Sequence, residues 1–305
     1  GDNPFVDPAR AKEQSLSLVA QGVDHIFAVG AGSNGGVFEA ALENGVFAYG
    51  VDINECLTAP GAVVDNSLKL VDVVVNQLID AVLAGTAESV VSYGLSDGGT
   101  GVIALQPGVA DSQCLIADYP DIIAAVQAAQ DAIIAGDIVV PDPLFAPVVE
   151  TAAPDDDGPL FIYLPPTPIG SNPFLELGDK GTREAAERLG GEYKIFESTD
   201  LNSRRANLEA AVAENPDIIV MTTFDFIDLS AEFSAANPDQ EFILIDACPG
   251  EPPANLHCGV FREQEAGYLL GIMAGSLSET GNVGSVVALD IPFLHRYSDS
   301  FALGA

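Results

Sequence analysis

The feature that most constrains this chain is a rhythm. Short runs of β-branched and aromatic residues alternate with stretches of helical period along nearly its whole length. Alternation of that kind builds mostly parallel sheets covered by helices. Helices are expected over 7–21, 36–44, 67–84 and 120–136, with strands over 24–29, 46–51 and 88–94. The rhythm then breaks at "VVPDPLFAPVVETAAPDDDGP", where prolines and three consecutive aspartates replace any period, so 141–158 reads as a linker. After it the alternation restarts, with strands over 160–164, 193–197, 217–221, 241–245, 258–261 and 283–288. The intervening helices cover 176–189, 203–214, 227–236, 263–279 and 292–303. At 305 residues the chain has room for two cores of ordinary size.

Composition excludes several classes of partner. Acidic residues number 45 against 11 basic ones, a net charge of −34 that repels nucleic-acid phosphates and anionic lipid. Such acidity suits a highly soluble protein, and one adapted to a salty habitat. The periodic apolar segments argue against disorder over most of the chain. No apolar run reaches the length of a membrane-spanning helix. The chain opens without Met, signal peptide or lipidation box, as a processed or partial sequence does. His25, His257 and His295 stand apart from one another and no C-x-x-C occurs, so no metal and no cofactor are expected. Cys248 and Cys258 lie between two neighbouring apolar runs, close enough to bridge, which would leave Cys56 and Cys114 as a second pair. Four buried thiols is the other reading. No G-x-S-x-G elbow, P-loop lysine or H-E-x-x-H supports catalysis, and the chain is not expected to be an enzyme.

One motif pulls toward another class. In "HIFAVGAGSNGGVFEAALENGVFAYGVD", Gly30, Gly32 and Gly35 spell G-x-G-x-x-G after an apolar run, and Asp52 ends the next one. That is the layout of a dinucleotide fingerprint, with an acid for ribose hydroxyls. A nicotinamide-type oxidoreductase would, however, need a second mononucleotide half after Asp52, and "CLTAPGAVVDNSLKLVD" does not supply one.

Larger pieces point elsewhere. These are "PTPIGSNPFLELGDKGTREAAERLG", "PDIIVMTTFDFIDL", "EFILIDA", "GVFREQEAGYLLGIMAG", "GNVGSVVALDIPFLHRYSDSFALGA", "AVGAGSNGGVFEAA", "GVDINE", "NSLKLVD" and "YGLSDGGTGV". With the second half read before the first, the set resembles the basic membrane protein family of ABC-transporter receptors, purine nucleoside receptors among them. The resemblance implies an α/β, two-lobed type I periplasmic-binding-protein fold in circularly permuted order, or a window cut from a tandem array. One lobe would take 1–66 and 282–305, the other 67–140 and 159–281. About one strand of the family pattern is missing between "FALGA" and "VDPARAKE". That leaves a slot for an unassigned segment or for self-assembly with a neighbouring subunit.

The resemblance also implies a function: an extracytoplasmic receptor, lipid-anchored in its full-length form, that binds a purine nucleoside between its lobes and passes it to an ABC-transporter permease. A surface-assembly or filament subunit derived from such a receptor is the alternative. A nucleoside needs an aromatic face for its base and carboxylates or donors for its ribose. By analogy, Asn172 and Phe174 contact the base, with Phe174 as a core residue the competing reading. Asp225 binds at a strand end or caps the helix after it. Phe293 supplies a second aromatic face, and Asp290 beside it is a cap. Asp52 and Lys69 take the ribose, against a surface lysine on an amphipathic helix. Gly30 and Gly32 bring backbone N–H groups to the ligand, and Gly98–Gly99 makes a turn.

Overall fold

A computed structural model describes residues 4–140, 158–170 and 172–305. Residues 141–157 of the expected linker lie outside the described residues. The described chain forms two compact units, one of residues 4–69, 94–140 and 262–305 and the other of 70–93 and 158–261.

In chain order the elements begin with α1 (Pro8–Ala20), β1 (His25–Val29), α2 (Asn34–Asn44), β2 (Phe47–Asp52) and β3 (Val63–Lys69). Next come α3 (Val71–Ala84), β4 (Val90–Tyr93), β5 (Thr100–Val102), α4 (Pro120–Ala135) and β6 (Leu160–Leu164). Then follow α5 (Pro173–Leu189), β7 (Glu192–Ile195), α6 (Leu201–Ala213), β8 (Ile218–Thr222), α7 (Ile227–Ala236) and β9 (Glu241–Ile245). The last are β10 (Leu256–Phe261), α8 (Glu263–Leu277), β11 (Val283–Val287) and α9 (Pro292–Gly304).

The first unit holds a five-stranded sheet in the order β11-β1-β2-β3-β5, parallel except for β5, which runs antiparallel to β3. Elements from near both ends of the sequence meet here: β1 and β11 pair from His25↔Val283 to Val29↔Val287. Among the described residues β11 pairs on that side alone and forms the sheet edge. Helix α9 closes one face with aromatic contacts, Phe301 against Phe27 and Tyr49 at 5.2 and 5.4 Å between ring centroids. It also packs tightly on α8. A Cβ on Gly271 would lie 2.2 Å from the Phe301 carbonyl, so only glycine lets the two backbones approach this closely.

The second unit is a fully parallel six-stranded sheet in the order β4-β10-β9-β8-β6-β7. Its four central strands, β10, β9, β8 and β6, are buried on both faces. One apolar cluster lies under α3 and α5 (Val75, Leu78, Tyr163, Val220), the other under α6 and α7 (Leu208, Phe226, Leu229, Leu244). Doubly covered strands of this kind read as continuous apolar runs, which is why they were visible in the sequence. Disulfides join Cys248 to Cys258 and Cys56 to Cys114. No helix of the described residues is long and apolar enough to cross a membrane.

Two expectations change. Residues 67–84 are not one helix: Val63–Lys69 is a strand, and α3 begins only at Val71. The strand is hidden in the sequence because its buried positions carry Asp65, Asn66 and Ser67; tertiary partners make this tolerable for Asp65, which accepts from the Ile103 and Ala104 N–H groups at 2.8 Å. The division between units also differs from the expected 1–66 and 282–305 against 67–140 and 159–281. Residues 94–140 join the first unit because β5 extends its sheet and α4 packs on α8. Residues 262–281 join it because α8 packs on α9.

Candidate functional site

In parallel α/β sheets, side chains that can meet a ligand gather beyond the carboxyl ends of the strands. The first unit places a charged group there. Asp52 is the last residue of β2 and pairs with Leu68, so Lys69, the last residue of β3, sits one step beyond. Lys69 is therefore no exposed helix lysine. Its side chain is 3% exposed, and its Nζ lies 3.2 Å from Glu263 Oε1, with Glu263 2% exposed. The other carboxylate oxygen of Glu263 lies 3.0 Å from Arg296 Nη1. Phe293 and Tyr297 complete the surroundings, their ring centroids 5.4 and 5.6 Å from Lys69 Nζ.

Asp52 is different from these paired groups. Its carboxylate makes no hydrogen bond to another of the described residues. Burial pushes its pKa up; the nearby Lys69 opposes that shift and Glu263 adds to it. Its backbone is left-handed, with φ of 69°. Non-glycine residues held in that region cost on the order of 1–3 kcal/mol, and such strain collects at ligand sites. A partly buried carboxylate without a hydrogen bond, held near a cation, is an acceptor suited to a polyhydroxyl ligand.

The glycine fingerprint is used inside the protein. Gly30 donates its N–H to Asn34 Oδ1 at 2.8 Å, and Asn34 Nδ2 donates to Glu55 Oε2, also at 2.8 Å. Asn34 is the first residue of α2, so its side chain occupies the strand-to-helix turn where a pyrophosphate would have to lie. A Cβ on Gly32 would approach the Phe5 carbonyl at 3.1 Å. The third fingerprint glycine, Gly35, has open space around it, while the tight position is Gly36, against the Pro8 carbonyl. These letters serve a turn and the packing of α1 on α2, and they do not form a dinucleotide cradle. Gly98 does sit in a turn, with φ of 69°. Asp290 is exposed and pairs with His295 Nε2 at 2.7 Å; it does not cap α9.

In the second unit, Asn172 caps α5, its Oδ1 accepting from the Phe174 N–H at 3.1 Å. Phe174 is 6% exposed and belongs to the apolar cluster under α3 and α5. Asp225 follows β8. Its Oδ1 lies 2.9 Å from Arg204 Nη2, and its Oδ2 accepts from the Thr223 hydroxyl at 3.1 Å. The capping side chain there is that of Thr223, at φ 76°, and not that of Asp225. Sequence reasoning missed Glu263, Arg296, Tyr297 and Arg204. The dense "FREQE" and "HRY" segments were the available signal, but nothing in their spacing says that α8 and α9 bring Glu263 and Arg296 together.

The family described as "Bmp: ABC transporter substrate-binding protein PnrA-like" matches residues 2–129 and 162–305. The chain belongs to the Bmp family. Among its curated relatives, an uncharacterized lipoprotein of Pyrococcus abyssi is 30% identical over 140 residues, 45% of this chain and 35% of the relative. Basic membrane protein A of Borreliella burgdorferi is 29% identical over 134 residues, 43% of this chain and 39% of the relative. The CD4+ T-cell-stimulating antigen of Listeria monocytogenes is 25% identical over 112 residues, covering 37% and 31% respectively. Each match thus spans well under half of the relative's length. The two α/β units with mostly parallel sheets are consistent with that family, which is described as one of ABC-transporter substrate-binding proteins.

Proposed function

We propose that this chain is the binding portion of an extracytoplasmic receptor that takes up a purine nucleoside for delivery to an ABC-transporter permease. The observation that carries the reading is Asp52: a partly buried carboxylate with no hydrogen bond among the described residues, close to Lys69, whose ammonium in turn lies over the Phe293 ring. A ribose diol donates two hydrogen bonds to such a group, and a neighbouring ammonium can donate to a ribose oxygen. Phe293, half-buried at the start of α9, offers a face for the flat base. Asn172, Phe174 and Asp225 stand in the proposal as the second unit's own contribution to base recognition. The formal charges of Asp52, Glu263, Lys69 and Arg296 cancel, which suits a neutral ligand better than a phosphorylated one. The names of the lipoprotein relatives support an extracytoplasmic location.

Calorimetric titration with inosine, guanosine, adenosine and NAD tests the proposal. Saturable binding of at least one purine nucleoside, with NAD silent, is the expected result. Tight NAD binding with silent nucleosides would reject it.

A further inference from the structure

We propose that Glu263 is a positioning residue that sets the specificity of this site by fixing Lys69. For its ligand arm the inference rests on the nucleoside reading; its structural arm stands alone. Lys69 and Arg296 are both cations at 3% exposure, and the Glu263 carboxylate lies beside each of them. One Glu263 oxygen faces Lys69 Nζ at 3.2 Å and the other faces Arg296 Nη1 at 3.0 Å. Both oxygens face cations and the side chain is only 2% exposed, so Glu263 acts through Lys69.

Its own placement follows from three features. Glu263 is the first residue of α8, where the positive end of the helix favours a carboxylate. Helix α8 packs on α9 at glycine-only distances, and that closeness brings Arg296 within reach. Helix α8 also packs on β3 and β5, which brings Glu263 to the strand end that carries Lys69. The rings of Phe293 and Tyr297 restrict Lys69 further. With the ammonium held by Glu263, the direction of its protons is set before any ligand arrives, and Asp52 is left as the carboxylate that receives hydroxyl donors. Binding gains most from groups ordered in advance, because no side-chain freedom is then lost on association. A neutral side chain at 263 would take the carboxylate away from Lys69, and Asp52, whose charge already acts on Lys69, would compete for the ammonium. Asp52 would turn from ligand acceptor to internal ion-pair partner.

The test compares wild type, Glu263→Gln and Glu263→Asp by two readouts. The first is the side-chain ammonium signal of Lys69 in nitrogen NMR, assigned by its loss in Lys69→Arg. The buried, carboxylate-held ammonium should exchange its protons slowly, unlike those of Lys12, Lys180 and Lys194, which are paired at more exposed positions. The second is inosine affinity by calorimetry. Glu263→Gln should lose the slow-exchanging Lys69 signal and weaken inosine by about tenfold, the cost of a lost charge-assisted contact. Glu263→Asp, which keeps the charge, should recover most of both. A Glu263→Gln protein that is folded by circular dichroism and matches wild type in both readouts overturns the proposal. Loss of the Lys69 signal in a protein whose wild type binds no nucleoside supports the positioning role and rejects the ligand reading instead. Should Glu263→Gln fail to fold, the wild-type spectrum decides: a fast-exchanging Lys69 rejects the proposal, and a slow-exchanging one supports it.

Discussion

The two units are built on the same plan, parallel strands with polar residues beyond their carboxyl ends, yet they treat those residues in opposite ways. The first unit buries its charges. Lys69, Glu263 and Arg296 are sealed among aromatic rings, and Asp52 is desolvated without a hydrogen bond. The second unit leaves its charges closer to water. Asp225 and Arg204 pair at 30% and 14% exposure, Asn172 caps α5, and Phe174 packs against the apolar cluster under α3 and α5. The difference teaches where binding energy can reside: a charge-assisted hydrogen bond strengthens when water is excluded and is diluted when it is not.

Removing one cation from each unit should give the largest contrast. Arg296→Met strips a partner from a buried carboxylate and should destabilise the protein by about 3–5 kcal/mol, as breaking buried ion pairs does. Arg204→Met breaks a pair that water still reaches and should cost about 1 kcal/mol or less. Urea unfolding monitored by circular dichroism measures both, and equal costs would erase the distinction drawn between the units.

The first unit should also carry the main pH dependence of stability. Burial raises Glu55 to about 8, against the hydrogen bonds it accepts from Val51 N–H and Asn34. Burial likewise raises Asp65 to about 7, against three backbone donors. A carboxyl whose folded pKa lies above its unfolded one binds more protons in the native state. Unfolding free energy therefore falls as pH rises from the unfolded pKa near 4 through the folded values near 7 and 8. Glu55→Gln, which can keep the accepted hydrogen bonds on its amide oxygen, should flatten the upper part of that decline. Denaturant midpoints at pH 5, 6, 7 and 8 provide the check. A stability that climbs across this range would show that the hydrogen bonds outweigh burial.

Ligand affinity should separate the units on a smaller scale. Asp52→Asn should weaken inosine by about 1–3 kcal/mol while leaving the free base hypoxanthine much less affected, because the lost acceptor belongs to the ribose. Since burial lifts the Asp52 pKa, wild-type affinity should also fall as the solution is acidified through mildly acid pH, and Asp52→Asn should lack that dependence. Asp225→Asn, in its wetter setting, should cost about 1 kcal/mol or less. An Asp225 effect exceeding that of Asp52 would move the centre of recognition to the second unit.

The sequence alone carried the central strands of the second unit and most of its helices. Strands β6, β8 and β9 are continuous apolar runs because both of their faces are covered, and α7 was legible over Ile227–Ala236 as it stands. Asp52 and Lys69 entered as candidates through the family resemblance carried by "GVDINE" and "NSLKLVD", and the place of Lys69 at a strand end was not legible. What only the tertiary structure decided is what surrounds them. Strand β3 was invisible because Asp65, Asn66 and Ser67 look like a loop until Ile103 and Ala104, nearly forty residues later, supply donors for Asp65. The partnership of Lys69 with Glu263 and Arg296 joins residues some two hundred positions apart, through a helix contact that only glycine permits. Local patterns record local periodicity and turn chemistry. The burial that pairs a lysine, or leaves an aspartate without a hydrogen bond, depends on distant segments packing together.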